Sequence, residues 1–126
     1  FMGYAASHQN TPTIIIPPAP KIPEPPLVPK ANLVYIEGDV QFDEVRYKDA
    51  VFYFFATWCG PCREQAPIYD LLAQENPKIM FYKVDVDKCK SSASTMRVSS
   101  IPTIFVRTKR FTGLTSKADL QKEVDK

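Results

Sequence analysis

The chain has 126 residues, 44% of them hydrophobic and 24% charged, a size and composition suited to one globular core. Sixteen Lys and Arg stand against fourteen Asp and Glu, interspersed rather than in blocks, for a net charge of +2, which argues against nucleic acid or acidic lipid as a main partner. No apolar run approaches the ~18 residues that span a bilayer, and three cysteines are too few for a disulfide scaffold; the expectation is no membrane and a reducing intracellular compartment, the cytoplasm ahead of the mitochondrial matrix.

The chain begins without the basic flank and apolar stretch of a secretory signal, and it has no arginine before Arg46, unlike a typical transit peptide. Eight of the twelve prolines (12, 17, 18, 20, 23, 25, 26 and 29) precede residue 32. Pro17, Pro20, Pro23, Pro26 and Pro29 recur every third residue, the repeat of polyproline II. Residues 1–32 therefore read as an extended Pro-rich arm, either a stiff spacer or a docking segment for an assembly partner. Lys21 and Lys30 sit directly beside prolines, which weakens a specific SH3 reading. His8, the lone histidine, lies in the arm and reads as a solvated residue.

From residue 33 the pattern alternates strand and helix. Residues 33–36 are a short apolar run, followed by a helical stretch carrying Val40, Phe42, Val45 and Tyr47. Residues 50–56 (AVFYFFA) are almost continuously apolar, as in a central strand covered on both faces. Residues 60–75 place Ala66, Ile68, Tyr69, Leu71 and Leu72 at helical spacing, and Asn76-Pro77 stops that helix. A buried strand at 79–86, a short polar helix at 90–97, a strand at 102–106 and a last helix at 116–126, opened by Ser116, complete the order. Such alternation implies an α/β sheet with parallel pairs.

Trp58-Cys59-Gly60-Pro61-Cys62 lies where the central strand turns into a helix, which puts Cys59 at the helix N-terminus. Unpaired N–H groups and the positive end of the helix dipole favour a thiolate there, and C-x-x-C placement lowers thiol pKa values. Cys59 is then the nucleophile. Cys62, one turn later on the same side, can attack a mixed disulfide formed at Cys59. Pro61 fits a first helical turn, where a missing N–H costs little. Half of a zinc site is the competing reading of a C-x-x-C, but only Cys89 and His8 remain as further ligands at no sensible spacing. Neither a metal nor a bound cofactor is expected.

W-C-G-P-C after an aromatic strand, with Ile101-Pro102-Thr103 some forty residues on, resembles the thioredoxin family. The resemblance runs from about Leu33 to Lys126 and includes Ala56-Thr57, Pro67, Val84-Asp85-Val86-Asp87 and Phe111-Thr112-Gly113. It implies a thioredoxin fold over 33–126, a central mixed sheet of four to five strands flanked by helices. It also implies a cis Pro102 beside Cys59 and Cys62, and a substrate groove lined by Trp58, Gly60, Pro61, Ile101, Pro102 and Gly113. The implied activity is protein-disulfide reduction at Cys59 and Cys62, with oxidised proteins as substrates and a thioredoxin reductase or small thiol as electron donor. The rival expectation is a thioredoxin-fold subunit held in a larger assembly by its arm, its dithiol vestigial or regulatory.

Two features depart from the family. Thioredoxins usually carry a buried aspartate six residues before the first motif cysteine; here that residue is Tyr53, which cannot act as a carboxylate base near neutral pH. Lys83 matches the family position that often partners the aspartate, so Tyr53 and Lys83 are expected to face each other beneath Cys62 and to slow the second step or change its pH dependence. Only ten residues separate Pro102 from Gly113, about five fewer than usual, so either a loop is missing from the sequence or Arg107-Thr108-Lys109-Arg110 is a very tight connection into a stunted edge strand, its basic cluster read as a solvated turn ahead of an anionic docking site. Finally, Cys89 occupies a segment in which some animal-type thioredoxins carry a cysteine, and it reads either as a regulatory thiol or as a part-buried structural one.

Overall fold

A computed structural model of the chain describes residues 31–126. The Pro-rich arm expected over 1–32 lies outside the described residues except for Ala31 and Asn32. Nine elements follow in chain order: β1 (Leu33–Ile36), α1 (Asp39–Val45), β2 (Val51–Phe55), α2 (Gly60–Glu75), β3 (Phe81–Asp85), α3 (Lys90–Thr95), β4 (Thr103–Val106), β5 (Lys109–Thr112) and α4 (Lys117–Val124).

The five strands form one mixed sheet in the order β1-β3-β2-β4-β5. β3 runs parallel to both β1 and β2, while β4 is antiparallel to β2 and β5 antiparallel to β4. Alternation along β2 shows why its sequence is apolar throughout. Val51 and Tyr53 join Tyr69, Leu72, Phe81, Ile104, Leu120 and others in one buried cluster. Phe52 and Phe54 join Ile36, Phe42, Tyr82, Val84, Cys89 and Phe105 in a second. Successive side chains of a strand point to opposite faces, so a strand covered on both sides reads as unbroken hydrophobicity. On the second face Phe42 sets its ring edge-on to both Phe52 and Phe54, each at 5.7 Å between centroids.

Asn32 belongs to the folded domain rather than to the arm. Its side-chain amide donates to the carbonyls of Ala73 (2.8 Å), Ile79 (2.9 Å) and Asn76 (3.1 Å), and its own carbonyl accepts from Phe81 N. One of those acceptors, Ala73 O, lies in the last turn of α2, where it otherwise receives only the capping Asn76 N–H at 3.2 Å.

The short connection before Gly113 is a complete hairpin, correcting the expectation of a stunted edge strand. Two residues, Arg107 and Thr108, join β4 to β5, and all four residues of β5 pair with the four of β4. Arg107 adopts φ 58°, a left-handed conformation that costs a non-glycine residue roughly 1 kcal/mol. Its guanidinium offsets this by donating to Asp49 Oδ1 at 2.9 Å and to the last carbonyls of α4, Glu123 and Val124, where a cation is favoured. Arg110 likewise donates to the Met96 and Arg97 carbonyls and lies over the Phe105 ring. The cluster is solvent-exposed as expected, yet two of its arginines fasten the hairpin to neighbouring elements.

Candidate active site

β2 ends at Phe55, and the chain turns through Ala56, Thr57 and Trp58 into α2. Cys59 is the N-cap of that helix, with extended backbone angles, and its Sγ accepts from Cys62 N at 3.2 Å. Its sulfur therefore occupies the place usually taken by a capping oxygen and receives one of the helix's unpaired donors. The same contact stabilises a thiolate when the pair is reduced. Pro61 lies in the first turn, as expected. Cys59 and Cys62 are joined as a disulfide with their Cα atoms 5.2 Å apart, and both are largely buried.

Residues far away in sequence close the site. The Ile101–Pro102 peptide bond is cis, and the Ile101 carbonyl oxygen lies 3.8 Å from Cys59 Sγ. Ile101 packs with Ala56, Cys59 and Cys62. Gly113, at φ +84°, donates its N–H to the Pro102 carbonyl at 2.8 Å, which holds the 113–115 loop beside the proline. Only glycine takes that backbone conformation without strain. Gln65, fully buried on α2, anchors the same loop: its amide donates to the Thr115 carbonyl at 3.0 Å and accepts from Thr115 N at 2.8 Å. Trp58 is 66% exposed and donates Nε1–H to Asp87 Oδ2 at 2.8 Å. Of the residues expected at the groove, Ile101, Pro102 and Gly113 are thus linked to one another and, through Ile101, to the cysteines. Gly60 and Pro61 lie between the cysteines, and Trp58 stands exposed at their edge.

Behind Cys62 is a cavity of about 230 Å³ lined by Tyr35, Tyr53, Phe55, Ala56, Thr57, Arg63, Ala66 and Lys83. Tyr53 and Lys83 are direct register neighbours on β2 and β3 and both reach this cavity, but they do not partner each other. The Tyr53 hydroxyl donates to the Cys62 carbonyl oxygen at 2.8 Å. Burial, reinforced by the charge of Asp70, pushes its pKa far above the ordinary tyrosine value. Lys83 instead turns to Asp70 of α2, Nζ to Oδ1 at 2.7 Å, and donates to the Tyr35 hydroxyl at 3.2 Å.

Asp70 was not singled out from the sequence, although a signal was there. Cys62, Ala66 and Asp70 are spaced by four, so they share one stripe of α2. Cys89 lies on the other face of the sheet, fully buried in the second cluster, where burial and then the neighbouring Asp39 and Asp85 charges push its thiol up. That burial removes the access a regulatory thiol needs and favours the structural reading. Among the described residues, no cluster of three or more His, Cys, Asp or Glu is placed to hold a metal ion, and no helix is long and apolar enough to cross a membrane.

A dithiol at a helix N-terminus, facing a cis-proline loop at the end of a mixed sheet, defines a dithiol/disulfide site on a thioredoxin fold. Comparison with known proteins agrees. The Thioredoxin family model matches residues 34–126. A thioredoxin from Echinococcus granulosus is 53% identical over 53 residues, covering 42% of this chain and 50% of that protein. One from Chlamydia trachomatis is 40% identical over 78 residues, covering 58% of this chain and 76% of that protein. The crystal structure of Schistosoma mansoni thioredoxin aligns with a TM-score of 0.66 at 27% identity, covering 76% of this chain and 95% of that one. The chain spans half or less of the length of several curated relatives it matches. It belongs to the thioredoxin family.

Proposed function

We propose that the chain is a protein-disulfide oxidoreductase that reduces disulfides of partner proteins through Cys59 and Cys62. The observation that carries this reading is the position of Cys59 Sγ, capped by Cys62 N and flanked by the Ile101 carbonyl. In the reduced form the Cys59 thiolate attacks one sulfur of a substrate disulfide. That S–S bond breaks, the mixed disulfide forms and the first substrate sulfur leaves as thiolate. Cys62, as thiolate, then attacks Cys59 Sγ and releases the second substrate sulfur, so the substrate gains two electrons and two protons while Cys59 and Cys62 become a disulfide. Ile101 offers backbone groups along the edge where an extended substrate segment would lie, and Gly113 shapes that edge. A thioredoxin reductase or a small thiol would return the pair to the dithiol, and we place the cycle in a reducing intracellular compartment, the cytoplasm ahead of the mitochondrial matrix.

One support of the assembly-subunit reading loses its force, because the final hairpin is fully paired. The test is dithiothreitol-driven reduction of a disulfide-containing protein. The reading expects catalysis by the parent chain and its loss in Cys59→Ser and in Cys62→Ser. A parent rate equal to that of dithiothreitol alone would overturn it.

A further inference from the structure

The carboxylate that thioredoxins keep on the strand behind the dithiol is absent here, and Tyr53 does not replace it, since its one proton is committed to the Cys62 carbonyl. The cavity behind Cys62 nevertheless has a charged group in its wall, Lys83, whose partner lies just beyond the lining. Lys83 enters from β3 with its side chain only 6% exposed. Asp70, on α2 two turns beyond Cys62 on the same stripe and outside the cavity lining, meets Lys83 Nζ at 2.7 Å. Asp70 Oδ1 is fully buried; the lysine approaches it off the hydrogen-bonding direction, and no other polar group partners it among the described residues. The groups facing the cavity are therefore Tyr35 from β1, Tyr53 from β2, Lys83 from β3, and Arg63 with Cys62 itself from α2. Arg63 is exposed and donates outward to the Thr57 carbonyl, which leaves Lys83 as the buried cation nearest the back of the site.

We propose that Asp70 is a positioning residue for the resolving step: by holding Lys83 at the rear of the cavity and balancing its charge there, it sets how readily Cys62 gives up its proton. The proposal rests on the reductase reading above. In that step the Cys62 thiol loses its proton to water, the thiolate attacks Cys59 Sγ, and the departing substrate thiolate takes up a proton. An unbalanced ammonium behind Cys62 stabilises the thiolate, whereas an unbalanced carboxylate disfavours it. A cavity of about 230 Å³ has room for the few waters such a transfer needs. The pair thus acts on Cys62 through charge alone, with the sign of its effect governed by which partner is removed.

The two partners must then shift Cys62 in opposite directions. The experiment titrates the Cβ carbon of Cys62 by NMR in the full chain carrying Cys59→Ser, so that one motif thiol ionises. Lys83→Met should raise the Cys62 pKa by about one pH unit, Asp70→Asn should lower it by about as much, and the double variant should fall between them. Asp70→Glu should stay near the parent. Shifts in the same direction, or none in either single variant, would overturn the proposal. Should Lys83→Met not fold, Asp70→Asn decides alone, since that residue is partly exposed: a downward shift supports the proposal, and no shift or a rise refutes it. Because the titration needs no turnover, its outcome is independent of whether the chain reduces protein disulfides.

Discussion

Asn32 offers the sharpest test of how the domain is closed. Its amide nitrogen has two hydrogens and meets three carbonyls, of which Ala73 at 2.8 Å and Ile79 at 2.9 Å are the shorter partners. Replacing it by alanine removes the side-chain donor from both acceptors and leaves Ala73 O with only the longer bond from Asn76 N at 3.2 Å. At a net ~1 kcal/mol for each hydrogen bond, two bonds amount to ~2 kcal/mol. With a urea slope of ~1–2 kcal/mol per M for a domain of this size, the midpoint of Asn32→Ala should fall by ~1–2 M. Far-UV circular dichroism, with the Cys59–Cys62 disulfide intact in both proteins, measures it. Asn32→Asp should lose still more, because a carboxylate would face three carbonyl oxygens. If the alanine midpoint moves by less than ~0.3 M, or if the aspartate is the milder change, the assignment of Asn32 as a donor to these three groups is wrong.

Gln65→Leu should cost ~2 kcal/mol by stripping both hydrogen bonds from Thr115, and amide exchange at Thr115 should speed up about 30-fold; unchanged exchange would show that the loop is held by other contacts. Asp39 accepts from Ser92 Oγ and Ser92 N, and these bonds lower its pKa below 3.8. A depressed folded-state pKa gives stability that is present above the unfolded value and is lost as pH falls through the folded one. The stability gap between the parent and Asp39→Ala should accordingly be full at neutral pH and close below about pH 3.8, as urea midpoints at the two extremes would reveal. Tyr53→Phe should cost ~1 kcal/mol through the lost bond to the Cys62 carbonyl while leaving the pH profile of disulfide reduction in place. A displaced profile would mean that the hydroxyl takes part in proton transfer.

Much of the site could be read from local sequence. The position of Cys59 at a helix N-terminus follows from an apolar strand meeting Gly60-Pro61, and the strand covered on both faces follows from the unbroken run around Phe52 and Phe54, because these signals lie within a few residues of one another. The missing parts depend on contacts between distant segments. Asn32 looked like the end of the arm because its three acceptors are more than forty residues away. Arg107 and Arg110 looked like a solvated turn because most of their partners are backbone carbonyls, which carry no side-chain signature, and Asp49, the one side-chain partner, lies 58 residues from Arg107. β5 was hard to see because its residues, lying on an exposed edge, carry the charges that such edges favour. Cys89 remained ambiguous because burial belongs to the fold and not to the cysteine. The pairing of Lys83 with Asp70 instead of Tyr53 was decided by a helix packed over the sheet, although the four-residue spacing from Cys62 placed Asp70 on the correct face.

The most direct measurement of the central claim is mass-spectrometric mapping of the mixed disulfide captured when the reduced Cys62→Ser chain meets a disulfide-containing protein. The account predicts one adduct, on Cys59, with Cys89 unmodified. Attachment at Cys89, or no adduct at Cys59 after prolonged exposure, would contradict it.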